Sequence, residues 1–274
     1  MPVQFLINLI VPILAGFTFF AMAAEIGSVS AVRKIIFGEV GYKKVFTAFL
    51  LLGVYFITRP LQNVIGPHPW PMIINSGRQA FLMAVIAPAI LVGILHWVPR
   101  EKGMPKSATW AAYGVGVLSA VIFILINRVV ITGSHEIARY GGITMYDPVW
   151  SPSGSGSGEL IIIHLISQMI SPVGFFILAA AYVRHRRYNY PLTEVYNLIP
   201  LKWKYLEISL LIFAGSWLAA GIAALFGQYY TYLWVIYFAG SAIAGLIEME
   251  GVKLPPREAP ADLANLDDDP ESGD

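Results

Sequence analysis

The chain has 274 residues, a formal net charge of +1 and a hydrophobic fraction of 57%, with only 13% of its residues charged. Because charged residues make up about a quarter of a soluble domain, this composition excludes an ordinary soluble fold and indicates a membrane protein. The lack of cysteine in the sequence excludes disulfides, thiolate nucleophiles and thiolate zinc sites, and the near-neutral charge gives no reason to expect nucleic acid as a partner.

Apolar segments of about twenty residues recur along the chain, and each is long enough to cross a bilayer as a helix. The sequence therefore predicts an all-α, polytopic membrane protein. We expect a bundle of seven transmembrane helices over residues 1–250 and a disordered, acidic cytoplasmic tail over residues 251–274. The predicted spans are 5–27, 44–62, 76–98, 108–131, 160–183, 204–226 and 229–248.

Two connections on one side of the predicted bundle have unusual compositions. Prolines crowd residues 60–71 after the second span, and their missing donors and fixed torsions predict a stiff connection without regular helix. Residues 132–159 form a long predicted loop before the fifth span, and the tract Ser151–Gly158 in it has the composition of a flexible linker. A natural loop and an inserted linker both fit that tract.

The fifth span carries four polar residues at spacings of three and four: His164, Ser167, Gln168 and Ser171. At 3.6 residues per turn these side chains share one face of a helix over two turns. Unpaired polar groups in lipid cost several kcal/mol each, so the face is expected to look into the bundle.

The basic residues are distributed unequally between the two sides of the predicted bundle. Of the 18 lysines and arginines, 14 lie in the connections on one side, and Arg59, Arg78, Arg128 and Arg139 lie on the other. The positive-inside bias predicts an outer N-terminus and a cytoplasmic C-terminus, in a multi-pass protein of the plasma membrane, the inner membrane of a bacterial cell.

Polar residues near the outer ends of several spans are candidates for a common pocket. Arginine presents a rigid fork of donors that suits carboxylates and phosphates, and ionisable groups within a membrane are frequently functional. The predicted ligand-binding residues are His164, Gln168, Arg59, Arg78, Asn127 and Arg128. Two other interpretations remain open. In one, the arginines extend to the lipid headgroups, and in the other, His164 is a structural hydrogen bonder.

Three functional hypotheses fit this pattern. The first is a sensor, receptor-like or accessory protein that binds a small ligand or partner in its outer half and signals to a protein partner through its cytoplasmic loops or within the membrane. The second is a membrane subunit of a quinone-linked redox complex, with His164, Gln168 and an arginine facing a quinone. The third is a small-solute transporter. The leading hypothesis also predicts contact with membrane lipids. It predicts no catalytic residues, no metal, no cofactor and no enzymatic activity of the chain's own.

Overall fold

The computed structural model describes residues 3–27, 39–97, 105–150, 157–189, 199–226 and 231–252. Within these residues, seven helices are long and apolar enough to cross a membrane, which confirms the predicted number and approximate positions of the spans. We label these apolar helices α1 (Val3–Gly27), α2 (Lys43–Val64), α3 (Trp70–His96), α4 (Lys106–Val130), α5 (Gly158–His185), α6 (Trp203–Ile222) and α7 (Leu233–Glu250).

Several of these helices extend beyond the apolar part or change their winding. The sixth belongs to a helix over Ile199–Phe226 and the seventh to one over Thr231–Val252. Short π-helical segments occur at Leu6–Ile10, Leu82–Ile86 and Met169–Gly174. The remaining α-helical stretches are Val3–Phe5, Val11–Gly27, Glu39–Ile57, Arg59–Val64, Trp70–Phe81, Ala87–Trp97, Lys106–Val130, Ser157–Gln168 and Phe175–Asn189.

The proline-rich connection is more helical than the sequence predicts. Pro60 and Pro71 lie in the first turns of the helices Arg59–Val64 and Trp70–Phe81. The expectation that this region contains no regular helix was therefore wrong at both positions. In the first turn of a helix the backbone N–H has no intrahelical acceptor, so proline loses nothing there and its torsion suits the helix.

A β-hairpin replaces most of the predicted loop over residues 132–159, so the fold is mostly helical rather than purely so. Strands β1 (Ile131–Tyr140) and β2 (Ile143–Trp150) pair antiparallel. Gly141 and Gly142 form the turn with φ of +57° and +81°, the left-handed geometry that glycine adopts without a steric penalty in a two-residue hairpin turn. The tract Ser151–Gly158 falls largely outside the described residues, as does the predicted tail from residue 253 onward.

The helices pack in chain order around the bundle. Each contacts its neighbours in sequence, α7 closes on α1, and α3 also contacts α5. The centre is filled by aromatic side chains, among which Phe19 stacks on Phe56 at 5.1 Å and lies 5.9 Å from Phe213. Burial of these large phenylalanine rings stabilises the bundle by packing alone, because the rings have no polar group that needs a hydrogen-bond partner.

We call the end of the bundle that carries β1 and β2 the hairpin end, and the other the opposite end.

Candidate functional site

A partly enclosed cavity lies at the hairpin end of the bundle. Its empty volume, including the part that opens outward, is about 550 Å³. Six of the seven helices and the second strand contribute to its wall. The lining residues are Arg59 and Gln62 from α2, Asn75 and Gln79 from α3, Phe123 from α4, Asp147 and Pro148 from β2, Gln168 and Pro172 from α5, Trp217 and Ala220 from α6, and Trp234 from α7.

Arg59 is the principal cation of the cavity. Its side chain is only 4% exposed, and the guanidinium carbon lies 5.0 Å from the centre of the Trp234 ring. Among the described residues, Nε of Arg59 has no hydrogen-bond acceptor. A buried donor that remains unsatisfied costs about 1–3 kcal/mol, and more when the group is charged. The cavity therefore contains a charged donor whose bonding capacity the helices leave unused.

Trp217 supplies a second unsatisfied donor to the same cavity. The residue is 3% exposed, and its indole Nε1 likewise lacks an acceptor among the described residues. The ring is fixed by packing, with its centre 4.7 Å from the Tyr237 ring and 5.5 Å from the Tyr55 ring. Because buried tryptophan N–H groups usually find an acceptor, the unsatisfied Nε1 of Trp217 is a second exception among the lining residues.

Arg78 interacts electrostatically with Arg59, but each of its guanidinium nitrogens makes a hydrogen bond. Its Nε donates to Thr58 Oγ1 at 3.3 Å, one terminal nitrogen donates to Gln62 Oε1 at 3.1 Å, and the other donates to the Tyr55 carbonyl at 2.6 Å. The guanidinium also lies 4.3 Å from the centre of the Tyr55 ring. These contacts tie α3 to the end of α2 and orient Gln62, which does line the cavity.

The hairpin contributes the cavity's carboxylate, Asp147. Asn63 holds this part of β2 in place by donating from Nδ2 to the Tyr146 carbonyl at 2.7 Å and, more weakly, to Asp147 Oδ1 at 3.4 Å. Burial raises the pKa of the Asp147 carboxyl above its usual range, and the positive potentials of Arg59 and His135 offset part of that shift. The cavity thus contains one carboxylate as well as one arginine with an unused donor.

Gln168 reaches the cavity because α5 and α6 approach closely beside it. A Cβ on Gly221 would lie 2.8 Å from Gln168 Oε1, so a larger residue there would displace the amide. The other three polar residues of the predicted face, His164, Ser167 and Ser171, are buried within the bundle. Ser171 Oγ donates to the Met83 carbonyl at 3.0 Å, which joins α5 to α3.

The structure brings only part of the predicted site together. Arg59 and Gln168 line the cavity, and Arg78 acts behind it through Gln62. The centre of the His164 ring lies 4.5 Å from that of the cavity residue Phe123, and His164 itself does not line the cavity. Asn127 is fully buried and donates to Ser76 Oγ at 3.0 Å, whereas the Arg128 side chain is exposed and does not line the cavity.

Trp217 and Asp147 are cavity residues that the sequence did not single out. Trp217 stands in a run of small residues, Ala214–Gly221, whose composition indicates helix packing alone. The presence of one tryptophan among these small residues is the sequence feature that could have indicated a role other than helix packing. Asp147 is one of several acidic residues in a connection that the sequence predicts as a loop, and its position depends on the antiparallel pairing of β1 with β2.

The lining of the cavity is a mixture of polar and apolar side chains. Within the described ranges, no group of three or more histidine, aspartate or glutamate side chains is placed to hold a metal ion. Donors, amides and aromatic rings predominate in the lining. In comparisons with family models, curated proteins and solved structures, none matches this chain.

Proposed function

We propose that this chain is a multi-pass membrane protein, of the sensor or accessory type, which binds a small molecule through an anionic or oxygen-rich group in the cavity at the hairpin end. The observation that carries the proposal is the pair of buried, unsatisfied donors, Arg59 Nε and Trp217 Nε1, on the walls of one cavity. An acceptor that binds between them would satisfy both donors at once.

The composition of the remaining wall supports the same proposal. Phe123 and Trp234 supply apolar surface, while Gln62, Gln79 and Gln168 supply amides that can donate or accept. Small-molecule sites are typically concave, largely apolar and furnished with a few polar groups that fix orientation. Half of the twelve lining residues of this cavity are apolar or aromatic, and the other half are polar or charged.

A quinone head group is the second candidate ligand. Its two carbonyl oxygens would accept from the same donors, and its ring would pack on the aromatic wall. His164 is buried and does not line the cavity, which argues against the histidine contact that a quinone site was expected to have. The small anion or oxygen-rich solute is therefore the better match.

The binding proposal is tested by thermal unfolding and tryptophan fluorescence of the purified full chain in detergent. The probes are acetate, lactate, succinate, phosphate and a short-chain ubiquinone analogue, each titrated separately. We expect at least one of the anions to raise the unfolding midpoint and to change the emission of the cavity tryptophans. Arg59→Gln should weaken that binding by roughly 10- to 100-fold, the loss expected for a charge-assisted hydrogen bond. For Trp217→Phe, which removes a neutral donor, the same range is an upper limit.

The control variant is Arg128→Gln, which removes an exposed arginine outside the cavity and should bind the probes like the unmodified chain. Equal losses in Arg59→Gln and Arg128→Gln would mean that general surface charge, not the cavity, attracts the anion. Binding of the quinone analogue alone would transfer the proposal to the redox candidate.

The proposed orientation places the hairpin end outside the cell and the opposite end in the cytoplasm, on the basis of the unequal distribution of lysine and arginine. Because the sequence has no cysteine, Ser155→Cys and Ser107→Cys each introduce a unique thiol. An impermeant maleimide applied to intact cells should label the first variant and spare the second. The reverse pattern would place the cavity on the cytoplasmic side.

A further inference from the structure

Resting on the proposed function, the structure assigns the cavity a narrower ligand class: a small zwitterion of the α-amino acid type, with its carboxylate at Arg59 and Trp217 and its ammonium group at Asp147. The relevant observation is that two opposite charges line the same cavity without forming an ion pair. Among the ion pairs of the described residues, none within 4.0 Å joins the Arg59 guanidinium to the Asp147 carboxylate.

Each of the two charges is held in place by contacts of its own. Arg59 lies over the Trp234 ring at 5.0 Å, an arrangement that is favourable for a guanidinium. Asp147 is fixed on β2, where Asn63 holds both the preceding carbonyl and the carboxylate. Each side chain is thus held by a neighbour other than the opposite charge, and both line the cavity.

A ligand with a single charge would satisfy only one side of this arrangement. A plain carboxylate would bind the two donors but would meet the negative potential of Asp147, and a plain amine would meet the positive potential of Arg59. A zwitterion complements both groups. In an α-amino acid the two charged groups share one carbon, so both can be engaged inside a small cavity while the side chain extends along Phe123 or toward the opening.

The donor count supports the assignment of the carboxylate to the arginine side. A carboxylate has two oxygens and about four acceptor positions, which suffices for both Arg59 Nε and Trp217 Nε1. Asp147 accepts one long hydrogen bond from Asn63 and keeps further acceptor capacity for an ammonium group. The zwitterion therefore satisfies donors and acceptors that the described residues leave unused.

The experiment measures binding of the twenty common L-α-amino acids to the full chain by isothermal titration and thermal unfolding. For every amino acid that binds, two matched analogues are tested: the carboxylic acid that lacks the amine, and the amine that lacks the carboxylate. We expect at least one amino acid to bind and both of its analogues to bind at least tenfold more weakly. Asp147→Asn should weaken binding of the amino acid by at least tenfold while leaving the deaminated acid unaffected or more tightly bound.

Glu136→Gln is the matched control, because Glu136 is an exposed carboxylate of the same hairpin that pairs with Arg139 at 2.9 Å. It should leave binding unchanged. If the deaminated acid binds as tightly as the amino acid, and this binding depends on Arg59 but not on Asp147, the zwitterion assignment is wrong and the proposed anion site stands. If neither the amino acids nor the anions bind, both proposals fail together.

Discussion

Two buried arginines at the hairpin end illustrate how differently the same side chain is used. Arg78 donates from all three nitrogens to Thr58, Gln62 and Tyr55, and so functions as a strut between helices. Arg59 keeps Nε unsatisfied, facing a cavity. Burial alone therefore does not distinguish an arginine whose nitrogens all donate to the protein from one that keeps a donor unsatisfied. The state of the hydrogen-bond donors does.

The largest expected effect comes from removing the strut. Arg78→Leu removes the Arg78 donor from the Gln62 amide oxygen and the Thr58 hydroxyl oxygen, and leaves the Tyr55 carbonyl with the hydrogen bond from Thr58 Oγ1 at 3.0 Å. We expect the free energy of unfolding to fall by about 3 kcal/mol or more, seen as a clearly lower thermal midpoint in detergent. Arg128→Leu, at an exposed position, should change stability by less than about 0.5 kcal/mol. Similar midpoints for the two variants would show that Arg78 is not a strut.

A smaller effect is expected at the turn of the hairpin that carries Asp147 into the cavity of Arg59. Gly142→Ala forces a residue with a Cβ into a φ of +81°, although the added atom meets nothing within 4 Å. The expected cost is about 1 kcal/mol of backbone strain. Gly133→Ala is the control, since its Cβ also meets nothing within 4 Å. The loss of stability in Gly142→Ala should be confined to the hairpin, because the hydrogen bonds of Arg78 join helices only. Hydrogen exchange would show this as protection lost in the hairpin alone. Protection lost equally around Arg78 would mean that the two regions are not separate.

The pH dependence of stability tests the carboxylate of the Arg59 cavity. Burial raises the pKa of Asp147 in the folded protein, so the folded state holds this proton more tightly than the unfolded state does. Stability is then greatest below the ordinary carboxyl pKa and declines as the pH rises through the folded pKa. Asp147→Asn should remove this decline and be more stable than the unmodified chain near neutral pH. Parallel curves of thermal midpoint against pH for the two proteins would contradict this account.

The smallest effect on stability is expected at Arg59 itself. Arg59→Gln removes a contact with the Trp234 ring but leaves no acceptor of Nε unpaired, because Nε has none among the described residues. We expect the ligand-free protein to change by less than about 1 kcal/mol in unfolding free energy, although ligand binding is lost. A destabilisation as large as that of Arg78→Leu would make Arg59 a second strut and would end the contrast between the two arginines.

The structural features that can be predicted from the sequence are those that depend on residues close together in the chain. The seven spans follow from apolar length, a local property, and the inward direction of Gln168 follows from its spacing with His164 and Ser171 along one helix. The different roles of Arg59 and Arg78 could not be predicted, because they depend on tertiary contacts: α2 supplies every acceptor of Arg78, whereas Nε of Arg59 meets none among the described residues. The hairpin was missed because few of its side chains are buried, so the alternating pattern of a half-buried strand is weak.

Helix α5 consists of two helical segments that meet near Ser171 rather than one continuous helix. Ser171 adopts an extended backbone conformation, with φ of −138° and ψ of 118°, between the helices Ser157–Gln168 and Phe175–Asn189. The first segment ends at the cavity residue Gln168, and the second ends near Arg187, which pairs with Glu207 of α6 at 3.0 Å at the opposite end. When the first segment tilts about Ser171, the second segment stays anchored to α6, because the side chains of this ion pair are only 17% and 11% exposed and separating them is costly.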